Sequence, residues 1–418
     1  MLVKDSPKVN VSAWDELKCI SYKVRKHCPV CLSPFVSPLL DLPGLPLTEL
    51  YCSEIPKEKV GFVDQEFHFC HKCSHGSLTH VLDPQVVYGP KYSFRSSTSQ
   101  TAVQALDYFL NFINKSVEDR TFDVVIEVGC SDLNLLKKLR GRASRLVGID
   151  PVLSYETCHE PNCTLIGDLV ENVNIREISE EEKCLIVSSH TLEHLSNPKQ
   201  LIEKLLLESH DDTIFCFQFP GLESLVDDWR FDQIFHQHLN YFSLHSFSYL
   251  LGSLGAELLA YDVNYDHWGT LLVAFQKKKQ INNTEARRSL GLRKLQEKDI
   301  LRKHSEFRMA MVCTNQRLKR FKDSMRVGYG ASLMLPVLSY YLGDDLSCLD
   351  YIIDDDLQKT GQYYANMPVS IKHSSEFTSW EDSVCLLTSV ASRSNVRPML
   401  KKLFDLKVRD VIVPLSVL

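Results

Sequence analysis

Two cysteine pairs, Cys28-Pro-Val-Cys31 and Cys70-His-Lys-Cys73, stand 38 residues apart in the chain. Each C-x2-C pair can set two thiolates on one turn, and two such turns facing each other offer the tetrahedral sulfur shell that Zn2+ takes. The separation exceeds the roughly 15–20 residues of the commonest zinc-ribbon spacing, but closing a longer loop adds little cost. Four protein ligands would make the site closed and structural. His71, His75 and Cys52 stand by as substitute ligands, and coincidence among 14 cysteines is the bland alternative.

A second chemistry-bearing stretch is DVVIEVGCSDLNLLKKL, which puts Glu127 and Gly129 at the end of an apolar strand, before a turn and an amphipathic helix. At such a turn a residue without Cβ lets the backbone approach a ligand, and the helix start offers unpaired N–H groups. The next apolar run, RLVGID, ends in Asp150, 21 residues after Gly129. A carboxylate there can accept hydrogen bonds from both hydroxyls of a ribose. A dinucleotide site would need G-x-G-x-x-G, whereas Ser131 and Asn134 occupy the second and third glycine places. With the acids Glu127 and Asp132 flanking the turn, a pyrophosphate is poorly served and a cation is favoured. S-adenosylmethionine, with its sulfonium, α-amino group and ribose, fits. A dehydrogenase, or a nucleotide-type fold without a ligand, are the alternatives.

Further on, VSSHTLEHLSNP presents His190, Glu193 and His194 just ahead of a helix that Asn197 and Pro198 would open. As metal ligands His190 and His194 are a weak pair, for they sit at a strand end without a third partner.

The elements that must carry these groups fall into four textures. From about Cys28 to about His80 the chain is rich in Cys, His and Pro, the mark of a small loop-rich module that needs a staple. Val103, Leu106, Phe109, Leu110 and Ile113 fall at helical spacing between about Ser99 and Lys115. Strand-like and helical runs then alternate through DVVIEVG, LNLLKKLRG, RLVGID, KCLIVSSH, PKQLIEKLLLES and TIFCFQFP, the pattern of a doubly wound α/β sheet. From Lys277 to about Lys322, charge-dense sequence predicts one or two long surface helices joining two domains. A second α/β pattern follows in MRVGYGAS, VLSYYLG, LDYIIDDD, SVCLLTSV, RPMLKKLFD and RDVIVPL. The expected divisions are 1–98, 99–276, 277–325 and 326–418.

With 418 residues the chain exceeds one typical core, and its 44% hydrophobic and 24% charged residues are those of a folded globular protein. No apolar run reaches the ~18 residues of a membrane span. The start, MLVKDSPKVN, reads as no secretory leader, so thiols in a cytoplasmic setting are expected. A net charge of -6 gives no expectation of a nucleic-acid partner.

Taken together these motifs resemble the three-part sugar C-methyltransferase family, over nearly the whole chain from Cys28 to Leu418. The carriers are the two cysteine pairs, YSFRSSTS (Tyr92 to Ser99), EVGCSDLNLL, RFDQIFHQHLNYFSL, and VGYGASLMLPVL with YIIDDDLQKTGQY. The resemblance implies an α/β protein with a small N-terminal zinc-binding module, a central Rossmann-like class I methyltransferase domain and a C-terminal Rossmann-like domain. It implies S-adenosylmethionine held by Glu127, Gly129, Asp132, Asp150, His190 and Tyr92, and structural Zn2+ on Cys28, Cys31, Cys70 and Cys73. The acceptor it implies is a small molecule, a nucleoside-diphosphate-linked 4-keto-deoxysugar methylated at carbon, in a monomer or homodimer without nucleic-acid or membrane partners. By position His238 matches the family's base. The family's Tyr and Glu in that block are Phe235 and Gln237 here, its Gly after the turn acid is Leu133, and a C-terminal Lys is Met334. Tyr241, Tyr92 and Tyr88 are the hydroxyls that could replace the missing one. Methylation of oxygen or nitrogen on a non-sugar acceptor, a zinc-stapled binding scaffold, and a nicotinamide enzyme built on the VGYGAS turn are the competing expectations.

Overall fold

The structure is a computed structural model and describes Trp14 and residues 17–87, 100–151, 162–179, 182–278, 292–390 and 392–415. Tyr88, Tyr92 and the rest of the YSFRSSTS stretch lie outside the described residues.

Seven strands form the central sheet: β1 (Phe122–Val128), β2 (Ala143–Ile149), β3 (Cys163–Ile166), β4 (Cys184–Ser189), β5 (Ile214–Pro220), β6 (Ala256–Asn264) and β7 (Thr270–Lys277). Their order is β6-β7-β5-β4-β1-β2-β3, and β7 alone runs antiparallel to its neighbours. This is the Rossmann-like arrangement that the alternating runs lead one to expect. Strands buried on both faces read as near-continuous apolar runs. Thus Val124, Val125, Ile126 and Val128 of β1 are all buried, as is every residue of β5. At ~1.5–3 kcal/mol per buried aliphatic side chain, such runs make the sheet the main stabilising layer. The order reverses between β1 and β4, and a crevice forms at such a switch point, outside the carboxyl ends of the strands.

The helix Gln100–Val117 lays Leu106, Phe109, Ile113 and Val117 on this sheet. The helix Pro198–Glu208 begins with Pro at its start, but the Asn197 side chain makes no capping bond, contrary to expectation.

The N-terminal region is less loop-rich than its composition suggests. Leu40–Pro46, Phe62–Phe69 and Gly76–Leu78 form an antiparallel sheet whose outer strand is Asn240–Tyr241, borrowed from far along the chain. Leu40, Leu42 and Leu45 face inward, but a register shift between Leu42 and Leu45 breaks the period-two pattern that would have revealed the strand.

The helix Glu297–Arg320 buries Ile300, Phe307, Met311 and Leu318 along one stripe against the helices Leu222–Asp227 and Leu335–Leu342. Its charged residues therefore form one face of a packed helix and not a fully solvated bridge. A second, all-parallel sheet of five strands follows, ordered Ile371–His373, Tyr351–Asp354, Met325–Tyr329, Ser383–Leu387 and Asp410–Ile412. No described helix is long and apolar enough to cross a membrane.

Candidate active site at the sheet switch point

The turn after β1 is built by conformation as much as by residue type. Gly129 has φ +74°, and a Cβ there would lie 2.1 Å from Thr191 Oγ1, so its missing side chain is what lets the loop after β4 close on this turn. The Gly129 N–H donates to the Ile149 carbonyl (2.9 Å), and the Ser131 N–H donates to Asp150 Oδ2 (2.8 Å). Ser131 and Leu133 both take positive φ, which brings the chain round into the short helix Asn134–Lys138.

Three carboxylates converge there. Burial pushes Glu127 well above the ordinary carboxylate range, and the charges of Asp132 and Asp150 push the same way, against a bond from the Leu136 backbone. Glu127 Oε2 is buried and has no hydrogen-bond partner. An uncompensated buried carboxyl beside two further acids attracts a cation and repels phosphate.

On the far side of the switch point, His190 sits at φ +52°, its N–H donating to the Gln218 carbonyl (2.9 Å). His190 Nδ1 is 3.0 Å from Glu193 Oε1, while its Nε2 and Glu193 Oε2 are buried without partners. Burial would raise Glu193, but the hydrogen bond from His190 and the charges of His194, His190 and His238 hold it down at about 2, so it is a buried carboxylate. His194 donates from Nδ1 to the Gln237 carbonyl (2.8 Å), and its ring meets His238 edge-on at 5.1 Å. One donor atom from each of Glu193, His194 and His238 lies within 4.8 Å of the others.

His238 is 4% exposed, its ring packed on Phe235 at 4.2 Å, with Trp268 at 6.3 Å and Tyr241 at 6.4 Å. Its Nδ1 has no hydrogen-bond partner, and its backbone contact is Gln233. Burial, with His194 and His190 adding, carries its pKa well below the ordinary histidine value, against the pull of Glu193 and the Gln233 bond. The imidazole is therefore neutral at neutral pH, with one nitrogen ready to accept a proton.

The neighbouring positions have other tasks. Tyr241 is buried against Phe67, and its hydroxyl reaches the Gln233 carbonyl, at 3.5 Å, and the Phe235 backbone. Gln237 receives a bond from Thr48 Oγ1 and donates to the Val87 carbonyl, each 3.3 Å, so its amide faces the N-terminal sheet. His236 donates from Nε2 to the Leu45 carbonyl (2.9 Å), and burial lowers it to about 4. Sequence reasoning gave no role to Trp268, to Gln233 or to the buried Arg230–Asp232 pair (2.8 Å), which line a small recess of about 20 Å³ together with Ser332 and Thr388, residues that follow strands of the C-terminal sheet. Arg230, Asp232 and Gln233 stand in the RFDQIFHQHLNYFSL block, but only the fold brings Trp268 and the C-terminal residues to it.

The turn in VGYGAS mirrors the Gly129 turn, with the Ala331 N–H donating to Asp354 Oδ2 (2.5 Å). Its carbonyls are taken by protein groups, namely Thr388 Oγ1 on Gly330, Tyr51 and Lys359 on Ala331, and Tyr364 on Ser332. A Cβ at Gly330 would fall 2.3 Å from Ser389. The glycine thus serves close packing.

The four predicted cysteine ligands come together, with Cys28 Sγ 3.5 Å from Cys73 Sγ and Cys31 Sγ 3.4 Å from Cys70 Sγ. Sulfur atoms around a tetrahedral zinc stand ~3.8 Å apart, so the set fits the metal. Leu32 and Ser74, each following its pair, take positive φ and close two matching turns. His71, His75 and Cys52 stay outside the set: His71 faces Glu297 (3.3 Å), His75 packs on Phe242 (4.6 Å), and Cys52 meets the Tyr363 carbonyl (3.6 Å).

Residues 99–261 match the family model described as a methyltransferase domain. Over 208 residues the chain is 24% identical to the C-methyltransferase NovU of Streptomyces niveus, a match covering 49% of each protein, so the chain spans about half the length of that curated relative. Among solved structures it is similar to the N-methyltransferase NodS of Bradyrhizobium japonicum bound to S-adenosyl-L-homocysteine, at 13% identity, 44% of this chain, 92% of that one and a TM-score of 0.33. It is likewise similar to the Burkholderia thailandensis 1,6-didemethyltoxoflavin-N1-methyltransferase with bound 1,6-didemethyltoxoflavin and S-adenosylhomocysteine, at 12% identity, 44% and 81% coverage and a TM-score of 0.33. The stretch from 99 to 261 is thus similar to a methyltransferase domain, and its strands belong to the Rossmann-like seven-stranded sheet.

Proposed function

We propose that the chain is an S-adenosylmethionine-dependent methyltransferase acting on carbon of a small molecule, in the first instance a nucleoside-diphosphate-linked keto-deoxysugar. What chiefly carries this is a turn flanked by Glu127, Asp132 and Asp150 on one side of the switch point, with a neutral, buried His238 on the other. Bound S-adenosylmethionine would supply an electrophilic methyl group. Glu127 and Asp132 would face its cationic end, and Asp150 its ribose hydroxyls while bracing the turn through Ser131.

Nδ1 of His238 would take the proton from the carbon next to the acceptor's ketone, and the carbanion so formed would gain the methyl group as the donor's sulfur–methyl bond breaks and S-adenosylhomocysteine leaves. Glu193, held ionised, steadies the imidazolium that His238 becomes. His190 fixes the Glu193 carboxylate, and His194 donates to the Gln237 carbonyl. Phe235 and Trp268 keep water from the ring. Zn2+ on Cys28, Cys31, Cys70 and Cys73 would be closed by protein ligands and so structural.

Phe235 and Gln237 favour a second reading, transfer to oxygen or nitrogen of another acceptor. Phe235 has no donor for an enolate oxygen, and the Gln237 amide is committed to Thr48 and Val87. Incubation of the full chain with methyl-labelled donor and a panel of keto-deoxysugar nucleotides separates the two. Label placed in a C–CH3 group by NMR of the product is the expected result, and label in an O–CH3 or N–CH3 group would give the second reading the field.

A further inference from the structure

The segment that carries His238 is also the last strand of the N-terminal sheet. Asn240 and Tyr241 pair with Ser77 and Gly76, three to four residues beyond Cys73, and Ser243 Oγ donates to the Ser74 carbonyl (3.1 Å). Arg25, three residues before Cys28, reaches into this junction. Its Nη1 donates to the carbonyls of Leu78 (3.3 Å) and Leu239 (3.1 Å) and to Asn240 Oδ1 (3.4 Å), and its Nη2 to the Ser196 carbonyl (2.9 Å).

Asn240 passes the constraint on. With Oδ1 turned to Arg25, its Nδ2 donates to the carbonyls of Leu192 (3.1 Å), Glu193 (3.3 Å) and Leu195 (2.7 Å), and the Leu239 N–H donates to Glu193 O (2.8 Å). A guanidinium offers five donors in a rigid plane, and an amide offers donors on one side and acceptors on the other. Together they fasten three segments that are distant in sequence: the strand Gly76–Leu78, the 192–196 turn and the residues next to His238. Burial lowers Arg25 only to about 10, so it stays a cation and its bonds stay charge-assisted.

We propose that Arg25, acting through Asn240, is the positioning residue that sets His238 and Glu193 in register, so that the cysteine-stapled module holds the candidate base in place. This rests on His238 being the reacting base, and its test therefore reads the histidine directly and needs no acceptor.

Full-length zinc-loaded protein is treated with diethyl pyrocarbonate, and the rate of modification at each histidine is followed by peptide mass spectrometry. In wild type, His238 (4% exposed) and His68 (6% exposed, paired with Glu66 and packed on Phe35) react slowly. In Arg25→Met and in Asn240→Ala the His238 rate is expected to rise about tenfold, the effect of removing these bonds from a locally opening segment. His68, inside the module and away from Arg25 and Asn240, should stay protected, Arg25→Lys should restore part of the His238 protection, and S-adenosylhomocysteine affinity should hold. An unchanged His238 rate in both variants overturns the proposal. So does a rise of His68 in step with His238, which would make Arg25 a fold residue only. Failure to find a methylated acceptor would count against the proposed function and leave these rates standing.

Discussion

His238 owes its suitability as a base to being dry. An exposed histidine titrates near ~6.5, whereas burial and the facing rings of His194 and His190 carry this one well lower, Glu193 and the Gln233 backbone pulling the other way. The base form therefore persists as pH falls through the ordinary histidine range, and the acid limb of kcat is expected below about pH 6.5. A limb above that value in a pH–rate profile would assign the base elsewhere. His238→Asn should lower kcat by roughly 10²–10⁴ with cofactor affinity intact, checked by single-turnover kinetics beside calorimetry. Glu127 behaves in the opposite sense. Burial keeps it protonated to unusually high pH, and a cation beside it favours the ionised form. Binding of S-adenosylmethionine should release a proton, and affinity should rise as pH rises. Calorimetry in two buffers of different ionisation heat measures that release, and zero release would take Glu127 out of contact with the cation.

The switch point depends on two elements meeting at Gly129. A side chain there meets Thr191 at 2.1 Å and must also adopt φ +74°, so Gly129→Ala is expected to cost about 1–3 kcal/mol. Thr191→Ala in the same chain should recover part of this, a coupling that denaturant unfolding of the double-mutant cycle detects. Such turns were legible in the sequence, because Gly129 ends an apolar run broken only by Glu127 and Asp150 ends the next. β4 and β5 were legible for the same reason. β6 was not, since its outward residues alternate irregularly along an edge strand with a register shift near Leu258. Nor could the strand Asn240–Tyr241 be read, for two residues carry no period and their partners Gly76 and Ser77 lie more than 160 positions away. A shorter separation, 44 positions from His194 to His238, hid the Glu193–His194–His238 cluster, whose members stood in two motifs that only the fold joins.

Among the described residues the cysteine cluster packs with the seven-stranded sheet in one buried core, and the N-terminal and C-terminal sheets share another. The buried core that contains Leu42 and Phe67 runs on through Phe231 and Phe235 to Val327 and Leu386, so the N-terminal and C-terminal sheets share packing with the His238 segment. The protein as isolated should carry one zinc per chain by elemental analysis. Its removal by chelation, or Cys28→Ala, should lower the melting temperature by roughly 5 °C or more, because structural metal binding adds to folding free energy. The most direct test of the account is calorimetry of S-adenosylhomocysteine against the zinc-replete full chain and its Asp150→Ala variant. Saturable one-to-one binding to the wild type, weakened about tenfold or more in Asp150→Ala through loss of the ribose contact and of the brace on Ser131, is the expected result. Absence of binding to the wild type would contradict the assignment of this turn as a methyl-donor site.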